Sequence, residues 1–532
     1  RVRPIVAGVA LRSSGPEMGA VGTVKASVES LGKQQEFAFC DGIRGIALLW
    51  VCACHGINYI KPYWPVVGPR LFGLWWPVAV LASGEVGVDV FLVLSGFLIG
   101  GSLIREVSKD GRPTLGKFFV RRFFRIFPAL LSSVLLTMVA DAVRRGPISC
   151  PNPKWFTNFF IFNNFPGWGG AETVTCLRQT WSVGLEFQLY IATPFLFMAA
   201  SALSSLNTRF STSWWVAALC CVGWVVCCAL RLHFVMAMDM VGQPPNIWWS
   251  LWHFYQPTQF RFSTYLAGVV AGVFVAGQRA SPEVSPMRAP TRWAGCAASV
   301  ALVLSGAVLA SSCVFGGDLQ AVADPATTAW YRIHLSWLAV LHEAFLRPLI
   351  GAAVACVLSL CTLGHAPRVA HALSLPCWRH VAGLSYSIYL LQNIGFDLLM
   401  RPFLVLVAGS MGTAPLWLSI ASAYLAALLF IAGCIPLAYL NYALVEYPGI
   451  QLGRLVFERM QRSGRKTGFA AVPANGRHLE VDGTCKSKKG GVDLEDGLVH
   501  CSSMASTAST AEPDSDDTPQ SVARVRLSFG SE

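Results

Sequence analysis

The chain has 532 residues, of which 54% are hydrophobic and only 13% charged, with a net charge of +12 and a mean hydropathy of +0.51. A soluble globular chain carries about a quarter charged residues, so this composition excludes one and makes lipid the solvent over most of the length. The surplus of Lys and Arg then reports membrane topology, and no basic patch interleaved with stacking aromatics points to nucleic acid.

Residues 1–36 are polar, lack the long apolar core of a secretory signal, and read as a cytoplasmic, poorly ordered leader. A membrane helix needs roughly 20 mostly apolar residues. Such stretches follow at 43–60, 86–104, 124–142, 182–203, 213–232, 262–278, 293–313, 344–364, 381–400 and 415–444. The expected fold is all-α: a polytopic transmembrane helical bundle of about ten spans over residues 37–452. Shorter apolar pieces at 71–84 and 155–165 suit re-entrant or interfacial segments. Lys and Arg gather at 105–122, 279–292 and 365–380, which fall on one side of such a bundle. The positive-inside rule makes that side and both termini cytoplasmic, and places loops 143–181 and 233–261 on the lumenal or extracellular side. Residues 453–532 read as a disordered cytoplasmic tail, since the Ser-, Gly-, Lys-, Asp- and Thr-rich run from 463 onward could bury no core. The 17 cysteines lie mostly in apolar runs, where they behave as small apolar residues. No CxxC has a second to pair with, so no metal site is expected. Cys150 and Cys176 share one polar loop and would be able to pair if it faces an oxidising compartment.

Ionisable groups inside a bilayer are costly; Arg347 and Asp397 lie in the eighth and ninth spans, and four further stretches group such residues. In Asp41-Gly-Ile-Arg44…His55, eleven residues separate Arg44 and His55. That returns His55 to within roughly 20° of the Arg44 face and sets it about 16 Å along the axis. An arginine at the membrane edge suits the phosphates of an acyl-coenzyme A, and a histidine deeper on the same face suits a general base at the end of its thin pantetheine arm. A histidine satisfied by a neighbouring helix is the other reading. Next, Asp89 precedes Ser95-Gly96-Phe97 near the outer end of the second span, where it would meet an acceptor or water. In Arg121-Arg122-Phe-Phe-Arg125, Arg122 and Arg125 share a helical face. They are either a positive-inside anchor with belt aromatics or, with Arg44, a phosphate site. Finally Ser182, Glu186 and Tyr190, spaced by four, line one face of the fourth span. Glu186 needs a partner there, either His55 or an arginine.

Taken in order, these stretches resemble the acyltransferase 3 family of membrane acyltransferases. The matching residues are Asp41, Arg44 and His55; Asp89, Ser95, Gly96 and Phe97; Arg121, Arg122, Arg125 and Pro128; and Trp181, Ser182, Glu186 and Tyr190. Ser385, Tyr386 and Tyr389 match late in the chain, as do Glu446 and Pro448 beyond the last span. The resemblance runs from about residue 37 to 452. Phe187 stands where many members have a second Glu, and Gln392 where many have His. The resemblance implies a bundle of about ten spans that moves acyl groups, often acetyl, from a cytoplasmic donor to hydroxyls of carbohydrates or other acceptors. It implies His55 as catalytic base with Glu186 supporting, and Arg44, Arg122 and Arg125 contacting the coenzyme. Asp41, Asp89, Ser182, Tyr190 and Tyr386 are acceptor-side or supporting residues.

The expectation is therefore an acyl-CoA-dependent O-acyltransferase of the bilayer, with acyl-CoA, acetyl-CoA in the common case, as co-substrate, no bound cofactor, and a hydroxyl-bearing carbohydrate, lipid or small-molecule acceptor. Two alternatives stand beside it. One is a proton-coupled transporter with a relay of Asp89, Glu186, Asp397 and His55. The other is a catalytically silent, receptor-like or lipid-handling bundle.

Overall fold

Long uninterrupted apolar stretches become helices in lipid because every backbone N–H and C=O must be satisfied within the segment. The computed structural model describes residues 37–60, 80–81, 83–144, 158–159, 162–165, 177–238, 251–280, 336–396 and 416–466. Among these residues there are helices and turns and no strand. In chain order the helices are α1 (Ala38–Ile60), α2 (Gly87–Asp110), α3 (Leu115–Arg144), α4 (Trp181–Leu206), α5 (Thr212–Ala237), α6 (Phe262–Ala280), α7 (Ser336–Thr362), α8 (Pro367–Leu373), α9 (Pro376–Gly395), α10 (Leu416–Asn441) and α11 (Tyr447–Lys466). A widened π turn, Tyr442–Glu446, carries α10 directly into α11.

Seven spans among the described residues are long and apolar enough to cross a membrane, within α1 to α5, α7 and the α10–α11 run. The chain is thus a multi-pass membrane protein, and seven spans stand where the hydropathy pattern predicts about ten. Two of the remaining three expected spans form helices, α6 and α9, that are not among the seven. The third, 293–313, lies outside the described residues, as do 1–36, parts of the short pieces 71–84 and 155–165, Cys150, Cys176 and Asp397. At the other end, residues 453–466, assigned by sequence to the tail, continue α11 instead. Gly453 and Gly449 let that helix lie on Phe124 and Pro128 of α3, so this stretch has a packing partner that its polar composition did not reveal.

Outward faces carry large exposed apolar side chains, among them Leu135, Val139, Val222, Val225 and Leu428. A soluble protein would bury such a surface; here lipid covers it. Inside, α2 is the most buried of the spans and packs backbone-to-backbone on α6. A Cβ on Gly96 would stand 2.2 Å from the Tyr265 carbonyl oxygen, and one on Gly268 2.1 Å from that of Val93. Only glycine permits this approach from both sides. Arg231 of α5, fully buried, donates to the carbonyl oxygens of Ala344 (2.8 Å), Phe260 (3.0 Å) and Glu343, and so ties α5 to α7 and to the turn before α6.

Candidate functional site

The Asp-Gly-Ile-Arg-Gly opening of α1 works through its glycines as much as its charges. A Cβ on Gly42 would stand 2.2 Å from the Leu373 carbonyl oxygen, and one on Gly45 2.7 Å from the Trp378 ring. Both glycines therefore seat α1 against α8 and α9, which sets the depth and rotation of every later residue on α1, His55 included. His55 is half-buried. Its Nδ1 lies 2.8 Å from Oε1 of Gln392, a fully buried residue of α9. The Phe430 ring stands edge-on to the imidazole at 6.5 Å between centroids.

The same stretch of α9 is fixed to the start of α4. Tyr389 donates its hydroxyl to the Gln179 carbonyl oxygen at 2.6 Å and lies 2.6 Å from the Ser182 hydroxyl. Asn393 donates to Oε1 of Gln179 at 2.8 Å, and Gln179 donates to the Leu390 carbonyl oxygen at 2.7 Å. A polar layer thus joins the start of α4 and the turn before it to α9 beside the histidine, with Gln179, Ser182, Tyr389 and Asn393 each placed by a partner from the other side.

Glu186, half-buried on α4, accepts hydrogen bonds from Ser95 of α2 at 2.5 Å and from Tyr190 one turn further along α4. The Arg122 guanidinium carbon lies 4.8 Å over the Tyr190 ring and 5.6 Å over that of Phe118. Phe187 packs beside Tyr190 at 6.4 Å between ring centroids, so an apolar ring fills the place of a second carboxylate. Arg44 pairs loosely with Asp41 at 3.4 Å and is in electrostatic reach of Arg125 and of Tyr190. Arg44, Arg122, Arg125 and Tyr190 thus share one region of the bundle. Tyr386 donates to the Ile126 carbonyl oxygen at 3.2 Å and anchors α9 to α3 next to Arg125. Asp41, Glu446 and Glu186 lie in reach of the same arginines, so the region is one of mixed charge in which the guanidinium forks are the groups able to hold a phosphate.

Asp89 sits in a second charge cluster. It is fully buried; its Oδ2 takes a bond from Arg347 of α7 at 2.7 Å and an ion pair from Arg261 at 3.2 Å. Arg347 also bonds Glu85 at 2.8 Å. The Arg261 and Arg347 guanidinium carbons lie 4.6 Å and 4.5 Å over the Tyr255 ring, and Tyr255 packs on Trp181 at 5.0 Å. Burial pushes the Tyr255 phenol up, with the two arginines opposing the shift. Its hydroxyl therefore stays protonated and donates to the Glu85 carbonyl oxygen at 3.2 Å.

Two carboxylates and a base picked out from sequence thus take partners of three kinds. His55 meets an amide, Glu186 meets two hydroxyls, and Asp89 meets two arginines. Among the described residues neither a His55–Glu186 bond nor a Glu186–arginine ion pair is formed. Gln179, Tyr255, Arg261 and Asn393 carry no sequence signal, since loop and helix-end polar residues are common. Arg347 did carry one, being a charge inside an apolar stretch, which demands a buried counter-charge. Gln392 was visible only as a departure from a motif.

These features define a multi-pass helical membrane protein with a histidine-bearing polar layer in its interior and arginines gathered elsewhere, on the histidine's own helix and on α3. The chain belongs to the acyltransferase 3 family, whose acyltransferase domain matches residues 37–439. It is 26% identical over 162 residues to a peptidoglycan O-acetyltransferase of Listeria monocytogenes, covering 29% of this chain and 23% of that protein. It is 28% identical over 181 residues to a Staphylococcus aureus protein named "putative O-acetyltransferase", covering 32% of this chain and 26% of the other. A Bacillus subtilis protein named "putative peptidoglycan O-acetyltransferase" is 29% identical over 182 residues, 32% of this chain and 25% of its own length. The match spans about a quarter of the length of these curated relatives. No solved structure matches the chain.

Proposed function

We propose that the protein is a membrane O-acyltransferase that moves an acyl group, with acetyl first among candidates, from acyl-CoA to an acceptor hydroxyl. The observation that carries this reading is the pairing on α1 of Arg44, beside Arg125, with a histidine about 16 Å deeper that is held by a buried partner. A phosphorylated nucleotide would sit among Arg44, Arg122 and Arg125 by charge-assisted hydrogen bonds. The pantetheine arm would run inward along α1 and bring the thioester to His55. The names of the relatives support acetyl as the group and a carbohydrate hydroxyl as the acceptor. On this reading the arginine region and both termini face the cytoplasm.

Chemically, His55 takes the proton of the acceptor hydroxyl as its oxygen attacks the thioester carbon. The carbonyl oxygen becomes an oxyanion, re-forms the carbonyl as the C–S bond breaks, and the departing thiolate takes the proton back from His55. The products are the O-acyl ester and free coenzyme A. Glu186, bonded by Ser95 and Tyr190, supports the fold of the reaction chamber on the Arg122 side rather than serving the ring of His55.

The test is release of free thiol from acetyl-CoA by the purified protein in lipid nanodiscs, with His55→Ala as control and candidate hydroxyl acceptors added in turn. Release that requires His55 supports the assignment. Solute flux in sealed vesicles with no acetyl-CoA consumed would overturn it in favour of a carrier.

A further inference from the structure

Gln392 is fully buried, and its amide nitrogen has no hydrogen-bond partner. A buried polar group left unpaired is a net cost to folding. A leucine or methionine of similar volume would fill the space between α1, α9 and α10 without that cost. What offsets it is the other half of the amide: Oε1 faces Nδ1 of His55 at 2.8 Å. With Oε1 towards the ring, the amide oxygen is placed to accept from a protonated Nδ1, an arrangement that leaves the lone pair of the neutral ring on Nε2. The residue is itself rigidly placed. Its neighbours Tyr389 and Asn393 are bonded to Gln179, and its own carbonyl oxygen accepts from the Cys434 thiol at 3.9 Å. Phe430 borders the ring edge-on, so rotation is restricted on that side as well.

We propose that Gln392 is the positioning residue of the reaction: it holds His55 as the Nδ1–H tautomer and aims Nε2 at the acceptor hydroxyl. The assignment rests on the reading of His55 as the base. An amide does this without adding a charge to the membrane interior, where a carboxylate would need its own counter-ion. The proton that Nε2 takes from the hydroxyl returns to the thiolate, so the tautomer is restored at each turnover and Gln392 never exchanges a proton.

The test combines kinetics with histidine ¹⁵N spectra of the nanodisc-embedded protein, the His55 signal being assigned from its loss in His55→Ala. The wild type shows an unprotonated Nε2 and a protonated Nδ1. Gln392→Met, which removes the acceptor at nearly constant volume, gives a tautomer mixture and lowers kcat roughly 100-fold, the scale of a misplaced reacting group. KM for acetyl-CoA stays within about twofold, because the phosphate contacts lie elsewhere. Gln392→Glu retains an acceptor and keeps the Nδ1–H form. A wild-type spectrum with the proton on Nε2 would overturn the proposal before any variant is made, and so would Gln392→Met with wild-type kcat. A wild type without His55-dependent thiol release would instead sink the acyltransferase reading, and the spectra would still decide whether Gln392 sets the tautomer.

Discussion

Asp89 and Arg347, 258 positions apart in the chain, meet at 2.7 Å in the interior, and the same carboxylate oxygen faces Arg261 at 3.2 Å. This cluster joins the start of α2 to α7 and to the turn that leads into α6. Removing one member of a buried pair strands the other, at a cost of about 3–5 kcal/mol. Arg347→Met, which leaves Asp89 short of a donor and Glu85 without its partner, is expected to lower the thermal midpoint in nanodiscs well below that of Arg209→Ala, a change at an exposed surface arginine. Equal midpoints for the two would show the cluster to be dispensable.

The α2–α6 contact predicts a second stability effect. A methyl at residue 268 would sit 2.1 Å from the Val93 carbonyl oxygen, and backbone cannot yield as a side-chain tip can. Gly268→Ala is expected to destabilise by at least about 1–3 kcal/mol, the range for an overpacked core, and Gly268→Leu to abolish a monodisperse protein. Gly277→Ala, on the same helix with open space around its Cβ, serves as the control and is expected to behave as wild type. Size-exclusion profiles and melting curves check both.

For the chemistry, His55→Ala is expected to lower kcat for acetyl-CoA-dependent transfer by roughly 100-fold or more, the usual worth of a general base. Affinity for the donor, read by calorimetry, should stay within about twofold, since the coenzyme's phosphates bind elsewhere on the helix. Lost affinity with retained turnover would remove His55 from the reacting centre.

At the donor end, Arg122→Glu is expected to raise KM for acetyl-CoA by about tenfold or more, as loss of a charge-assisted contact does, while kcat changes little. The effect should shrink as salt is raised, because the residue is only half-buried and its field is screened. An unchanged KM at low salt would exclude Arg122 from the donor site.

Much of this molecule is legible in single helices. Composition alone requires a membrane solvent, and the apolar stretches mark most of the described helices, because in lipid a segment must satisfy its backbone by itself. The geometry of one helix also places Arg44 and His55 on a shared face, since rise and twist are constant. Where spans were less apolar, as in α6 and α9, hydropathy and the described structure differ on which helices qualify to cross. In the stretch 453–466, polar composition hid a helix whose glycines find a groove on α3. Partner choice was beyond the sequence altogether. Glu186 was read with His55 or an arginine and takes Ser95 and Tyr190; Asp89 was read with acceptor or water and takes Arg261 and Arg347; His55 takes Gln392 from 337 positions away. Which side chains face each other depends on the depth and rotation of every helix relative to its neighbours. Those are fixed by close contacts such as Gly42 on Leu373 and Gly96 on Tyr265, which exist only once the helices have packed.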